Sequence, residues 1–298
     1  MKQNYLFGIC NLKVDKLPIE INSNLVLREV TDEELSVMSS LVSSDWANSQ
    51  IPLPKIVFDC ALEIDYGDKV PDLFESIGQN MKNRMDRYSF ILDTFFKDSF
   101  SPKPFIGWSA ALQDSEMRSF WTNRQFSFLA SEKCYTLKES NIKKFTEHSK
   151  LIINSTKLSY IFIAIERYMK SQHDRLEEKV IDHTIALEAL VGDSSGPSTG
   201  SISYKIALRT AFLVGKNAFD REKIFTFIKK IYGLRSTLVH GQKPSKKSIE
   251  ELEKLTGKKY YWPFLSEVLL AAITNAIKLN KKNLAQYIDE CLLESKKL

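Results

Sequence analysis

The sequence predicts an α+β N-terminal region, residues 1–139, followed by an all-α helical bundle, residues 140–298. Three observations predict it. Between Lys55 and Tyr66 the even positions Ile56, Phe58, Cys60, Leu62, Ile64 and Tyr66 are apolar, with Lys55, Asp59, Glu63 and Asp65 between them. Period two over that length is a half-buried strand. From about Ser140 onward, apolar residues recur only at steps of three and four, the helical period. The charge balance changes as well: residues 201–298 carry 19 Lys or Arg against 9 Asp or Glu, and by difference from the whole-chain 42 and 37, residues 1–200 carry 23 against 28.

In chain order, Tyr5–Cys10 and Asn24–Val30 read as short strands. Thr31-Asp32-Glu33-Glu34 has the form of a capping box and opens a helix towards Val42. After the strand at 55–66, Leu73, Ile77, Met81, Met85, Tyr88, Leu92 and Phe95 mark one face of a long helix. That stripe of methionines and aromatics is core, and the carboxylates of Asp59, Glu63 and Asp65 belong to a solvated strand face. Phe105–Leu112, Arg118–Leu129 and Lys133–Lys138 read as further strands. Helices follow at Asn141–Ile153, Lys157–Gln172, Glu177–Val191, Tyr204–Val214, Asp220–His240, from Pro263 past Ile277, and at Asn283–Leu293. The segment GDSSGPSTGSIS, Gly192–Ser203, is the single low-complexity stretch and reads as a mobile loop between two helices.

Composition narrows the function classes. With 43% hydrophobic and 27% charged residues the chain has the balance of a globular protein. The four cysteines (Cys10, Cys60, Cys134, Cys291) are widely spaced and form no C-x-x-C, which argues against a disulfide framework or a zinc site. Four histidines (His148, His173, His183, His240) are too few for a histidine-rich metal centre, so neither a metal nor a cofactor is expected. The N-terminal apolar run is too short for a secretory signal, and Glu166 and Arg167 break the best candidate membrane span. The expectation is a cytoplasmic protein without a membrane partner. A basic end on a mildly acidic body fits a polyanion such as nucleic acid, though lysine-rich helix faces are as readily plain solvated surface.

The stretch Asp220–Pro244, DREKIFTFIKKIYGLRSTLVHGQKP, carries the chemistry. Ile224, Ile228, Ile231 and Leu238, with Phe225 and Tyr232 alongside, mark an amphipathic helix. Asp220 is placed to cap its start, and Gly241 and Pro244 to stop it. Arg235 and His240 fall on its last turns. Five positions along a helix is a rise of about 7.5 Å with about 140° of rotation, so the pair does not converge within one helix. Cleaving RNA without a metal requires a base at the 2′-hydroxyl, an acid at the leaving 5′-oxygen and a cation beside the phosphorane. Two copies about a two-fold axis supply all of these. The helix C-terminal dipole favours an imidazolium at His240. An arginine and a histidine at a helix end are also common as partners of its last carbonyls.

The blocks EEKVIDHTIALEALVG (177–192), ISYKIALRTAFLVG (202–215) and REKIFTFIKKIYGLRSTLVHG (221–241) together resemble the Apea-like branch of the HEPN superfamily, over about residues 175–280. The resemblance implies a dimeric helical bundle whose R-x4–6-H motifs meet at the interface, and a metal-independent endoribonuclease with RNA as its partner. Arg235 then binds phosphate and stabilises the transition state, and His240 is the catalytic imidazole. Ser236 takes the position of a polar orienting residue, although the superfamily more often has Asn, Asp or His there. Glu188 and Arg209 match the family's pattern as a buried ion pair supporting the site. His183 reads as a core histidine or a second proton donor. Lys229, Lys230, Lys243, Lys246 and Lys247 are candidates for holding RNA phosphates or are ordinary surface. The resemblance further implies a bacterial defence or toxin setting, with a protein or phage-derived trigger bound by the N-terminal half. A non-catalytic HEPN module binding RNA, a nucleotide or a partner protein is the alternative, and a DNA-binding regulator a weaker one for want of a helix-turn-helix signature.

Overall fold

The computed structural model describes residues 3–32, 34, 60–65, 74–96, 104–113, 116–122, 135–172, 174–193 and 202–294. The chain divides into two compact units, Met1–Ile152 and Ile153–Leu298. The division falls near the end of a helix, later than the 139/140 boundary expected from the change of pattern.

The first unit is built on a six-stranded antiparallel sheet of order β3-β4-β5-β1-β6-β7. Its strands are β1 (Gln3–Cys10), β3 (Ile19–Asn22), β4 (Leu25–Arg28), β5 (Cys60–Asp65), β6 (Phe105–Gln113) and β7 (Glu116–Thr122). A parallel pair joins β2 (Leu12–Val14) to β8 (Tyr135–Leu137). β1 is interior, with Phe7 opposite Leu62 of β5 on one side and Ser109 of β6 on the other. Its Tyr5, Leu6, Phe7 and Ile9 are all buried, as a strand covered on both faces requires. Helix α1 (Phe74–Phe95) packs on β6 and sets Tyr88 edge-on to Phe7, ring centroids 5.2 Å apart. Its end meets α2 (Glu139–Ser155) through Phe95 and Phe145, at 5.1 Å.

The strands at β1, β4, β5, β6, β7 and β8 coincide with expected ones, whereas β2 and β3 were not expected. The capping box is made reciprocally: Glu34 N–H donates to Thr31 Oγ1 (3.2 Å) and Thr31 N–H to Glu34 Oε2 (2.9 Å). The helix towards Val42, residues 55–59 and 66 of the alternating strand and residues 123–129 of the strand from Arg118 lie outside the described residues. So do the side chains of Asp59, Glu63 and Asp65, as well as His173, Cys134 and residues 194–201 of the Gly/Ser segment.

The second unit is all helical: α3 (Ser159–Ser171), α4 (Leu176–Val191), α5 (Ile202–Val214), α6 (Ala218–Val239), α7 (Lys246–Thr256), α8 (Trp262–Leu279) and α9 (Leu284–Leu293). α3 lies on α4, α5 on α6, and α8 crosses α3, α4 and α5. α4 touches α6, and α9 covers α4 and α5. α8 buries Leu265, Val268, Leu269, Ala272, Ile273, Ala276 and Ile277, so one broad face of it is core. Among the described residues it is also the one helix long and apolar enough to cross a membrane by length and composition. Burial of those seven residues inside the bundle accounts for the apolar composition equally well.

α6 differs from its expected stripe. Ile224, Phe227, Ile228, Ile231 and Leu234 are buried, while Phe225, Tyr232 and Leu238 are half-buried. Each fully buried side chain contributes roughly 1.5–3 kcal/mol. The cap also differs. Asn217, not Asp220, is the N-cap, its side chain accepting from Asp220 N–H (2.9 Å). α7 was not expected at all.

Candidate functional site

The end of α6 is set by a Schellman motif. Gln242 N–H bonds the Thr237 carbonyl (3.0 Å) and Gly241 N–H bonds Leu238 (2.9 Å), while Gly241 takes φ +70°. Only a residue tolerant of the left-handed region closes the helix this way, so Gly241 fixes the place of its neighbour. That neighbour, His240, is the C-cap residue. Its N–H bonds the Ser236 carbonyl (3.2 Å) and the residue is exposed. Among the described residues its imidazole has no hydrogen-bond or ion-pair partner. Both ring nitrogens are therefore open to a ligand.

Arg235 lies on a different side of α6, turned towards α4. Its Nη2 is 3.7 Å from Glu188 Oε2, each side chain 31% exposed. That separation is an ion pair but not a hydrogen bond. Arg235 Nε is buried and makes no hydrogen bond. One turn earlier, the Tyr232 hydroxyl is buried beside the Glu188 carboxylate without a well-formed hydrogen bond to it. Burial, and then the neighbouring Glu188 carboxylate, push the Tyr232 phenol well above its usual range. Two buried polar atoms without a hydrogen bond beside a loose ion pair leave this part of the α4–α6 contact incompletely satisfied, where each such atom costs about 1–3 kcal/mol. Ser236, expected to orient the histidine, is exposed and its hydroxyl bonds neither Arg235 nor His240.

The structure corrects the expected Glu188–Arg209 pair. Glu188 faces Arg235, whereas Arg209 on α5 turns to α9. There Nε and Nη2 donate to Asp289 Oδ1 (2.8 Å) and Oδ2 (2.6 Å), and Nη1 donates to the Val191 carbonyl (2.8 Å). Asp193 Oδ1 stands 2.7 Å from Nη2. The Lys205 and Arg209 cations hold the Asp193 carboxyl below the usual carboxylate range. Arg209 thus ties the end of α4 to α9 and does not reach the tip of α6. Asp193 and Asp289 escaped the sequence reading because acidic residues remote from a motif carry no spacing signal. Tyr232 was read only as an apolar position.

His183 is a core residue. It is 1% exposed, stacks on Tyr168 and places Nε2 2.8 Å from the Ser171 hydroxyl, which itself donates to the Tyr168 carbonyl (2.7 Å). Burial, reinforced by Lys179 and opposed by Asp182, lowers its pKa to about 4. A ring so enclosed is not a proton donor to a substrate. Next to it, Asp182 is buried between Arg167 (3.0 Å) and Lys170 (2.8 Å). Burial raises its pKa, but the hydrogen bonds from Lys170, Asp174 and Arg167 outweigh that and leave it below the usual range.

The lysines differ among themselves. Lys230 is paired with Glu251 (2.6 Å) and Lys246, 93% exposed, loosely with Glu250 (3.7 Å). Lys229 lies over the rings of Phe225 (5.5 Å) and Tyr204 (5.9 Å). Lys243 and Lys247 are exposed without an ion pair among the described residues. No cluster of three or more His, Cys, Asp or Glu with metal-holding geometry occurs among the described residues. Compared with known protein families, with curated proteins and with solved structures, the chain matches none.

Proposed function

We propose that this protein is a HEPN-type, metal-independent endoribonuclease acting as a homodimer. One observation carries the reading: His240 stands unpartnered at the Schellman-closed tip of α6, with Arg235 five positions before it held by nothing stronger than a 3.7 Å contact. A free imidazole and an available guanidinium are the groups that in-line attack of a 2′-oxygen on phosphorus requires. His240 of one protomer takes the 2′-hydroxyl proton as the new O–P bond forms. The imidazolium of the other protomer gives a proton to the departing 5′-oxygen as the old bond breaks. The products are a 2′,3′-cyclic phosphate and a 5′-hydroxyl. Arg235 exchanges Glu188 for the phosphorane, whose charge exceeds that of the ground-state phosphate. The working form is cytoplasmic, in a bacterial defence or toxin setting, with the first unit sensing a trigger.

The test is direct. Wild-type protein incubated with mixed RNA in EDTA should produce fragments ending in cyclic phosphate, and His240→Ala should not. Equal degradation by both proteins, or a strictly monomeric wild type with full activity, overturns the reading. The engagement of Arg235 by Glu188, together with the idle Ser236 hydroxyl, favours one alternative: a HEPN module that binds RNA, a nucleotide or a partner protein without cutting. RNA binding without fragments in the same assay would select it.

A further inference from the structure

Along α6, Phe225, Lys229, Ser236 and His240 follow one another at steps of four, seven and four. At 100° per residue they share a stripe about 60° wide, and the stripe is about 22 Å long. At the end away from His240 it meets a groove of about 340 Å³ between α5 and α6, lined by Tyr204, Leu208, Phe212, Arg221, Glu222 and Phe225, with Leu292 of α9 beside them. The Tyr204 ring is 48% exposed and stands edge-on to Phe225, centroids 5.3 Å apart. Two cations attend these rings: Lys229 over Tyr204 and Phe225, and Arg221 over Phe212 at 4.4 Å. Lys229 has no carboxylate partner among the described residues, unlike its neighbour Lys230, which Glu251 neutralises.

We infer that this groove is a stacking subsite for a base of single-stranded RNA, several nucleotides from the bond presented to His240. The inference rests on the proposed function and adds a substrate requirement to it: an unpaired stretch that reaches the groove. The exposed Tyr204 ring can accept any base, while Lys229 and Arg221 beside it attract the connecting phosphates, the combination on which sequence-tolerant single-strand binding depends. Charge chooses this occupant over a second copy of the chain. Two copies meeting groove to groove would oppose Lys229 and Arg221 of each, with Glu222 alone in the lining to offset them, in a region that carries 19 basic against 9 acidic residues over 201–298.

The test uses the full chain in a His240→Ala background, so that binding is read without cleavage, with a labelled unstructured RNA of about ten nucleotides. Tyr204→Ala should weaken binding about 5- to 100-fold, the range expected for loss of one base stack. Tyr204→Trp should restore it, and a strand of abasic sites should bind the Tyr204 protein as weakly as normal RNA binds Tyr204→Ala. Far-UV circular dichroism confirms that the variants are folded. Unchanged affinity in Tyr204→Ala, equal binding of the abasic strand, or no RNA binding at all overturns the subsite. A change of oligomeric size with RNA affinity preserved overturns it too and assigns the groove to contact between copies. Cleavage by the protein with native His240 is scored separately. Tyr204-dependent binding without cleavage sinks the nuclease and keeps the groove, and cleavage with Tyr204-independent binding does the reverse.

Discussion

Arg209 and Arg235 lie on helices that pack against each other, α5 and α6, yet they are held in opposite ways. Arg209, with 6% of its side chain exposed, meets two carboxylates and a carbonyl at 2.6–2.8 Å. Arg235, 31% exposed, has one carboxylate at 3.7 Å and a buried Nε with no partner. The two histidines differ in burial: His183 is enclosed against Ser171 and Tyr168, bonded at Nε2 but not at Nδ1, while His240 stands exposed with neither nitrogen engaged among the described residues. A satisfied charge stabilises the bundle and has nothing left to offer a ligand. An unsatisfied one contributes little to the fold and keeps its hydrogen-bonding capacity for something that arrives. The same bundle therefore holds a structural arginine–histidine set and a reactive one, told apart by partners and not by residue type.

The contrast breaks most visibly at His240. Replacing it with Ala should lower RNA cleavage by about 10²–10⁴-fold, the usual scale for a lost general acid or base. The melting temperature should not move, since nothing described depends on the ring. A variant that keeps activity and loses stability would exchange the roles of the two histidines.

At the other arginine the effect should fall on stability. Arg209→Ala removes a bidentate contact and a bond to the Val191 carbonyl, leaves Asp289 without its cation and leaves Asp193 with Lys205 alone. The cost should be about 2–3 kcal/mol in a urea titration, below the full range for breaking a buried pair because Asp289 is 44% exposed to water. Affinity for RNA per folded molecule should stay unchanged.

The expected partnership of Glu188 with Arg209 shows where a sequence stops being informative. Helical spacing placed both residues on neighbouring helices correctly, and it located every long helix of the second unit. It could not choose between two arginines for one glutamate, because the choice is made by Asp289, 80 positions from Arg209. The same limit hid β2, whose parallel partner β8 lies more than a hundred residues away, so that the three residues Leu12–Val14 carry no pattern of their own. α7 was missed for a different reason. Its KKSIEELEKLT is mostly polar, and only Leu252 and Thr256 are buried, so period was a poor guide. Its ends were legible: Ser245 accepts from Ser248 N–H (3.2 Å), and Gly257 closes the helix at φ +70°. At the tip of α6 the motif was visible because Gly241 and the Arg–His spacing are local. Tyr232 was not visible, because the burial of its phenol beside Glu188 is a property of packing.

His183 offers a pH test of its half of the comparison. Its folded pKa of about 4 lies below the usual 6.5, so the unfolded chain takes up a proton first as pH falls. The native state is therefore destabilised progressively from about pH 6.5 down to about pH 4, and no further below that. Between about pH 7.5 and 5 the loss should be about 2 kcal/mol. His183→Gln should show a shallower pH dependence of its urea midpoint, whatever its absolute stability, with the contribution of nearby carboxylates such as Asp174 and Asp182 remaining in both proteins. Identical slopes would mean that the ring is reachable by solvent protons in the native state and not the enclosed partner of His240's contrast.

The smallest effect should appear at Glu188, and it sharpens the comparison most. Glu188→Gln and Asp289→Asn make the same chemical change, each removing a carboxylate from an arginine. At 3.7 Å and with both side chains 31% exposed, the Glu188 contact contributes no more than about 0.5 kcal/mol, so Glu188→Gln should leave stability within that margin. It also frees Arg235 and removes a negative charge beside the phosphate path. RNA should bind about 2- to 5-fold more tightly at low salt, with the gain disappearing as ionic strength screens it. Asp289→Asn should do the opposite on both counts, losing stability without altering RNA affinity, because Arg209 faces α9 and not the tip. Should Glu188→Gln destabilise the bundle as much as Asp289→Asn does, Glu188 is a strut like Asp289. Arg235 would then be a second structural arginine, with no guanidinium held in reserve for a phosphate.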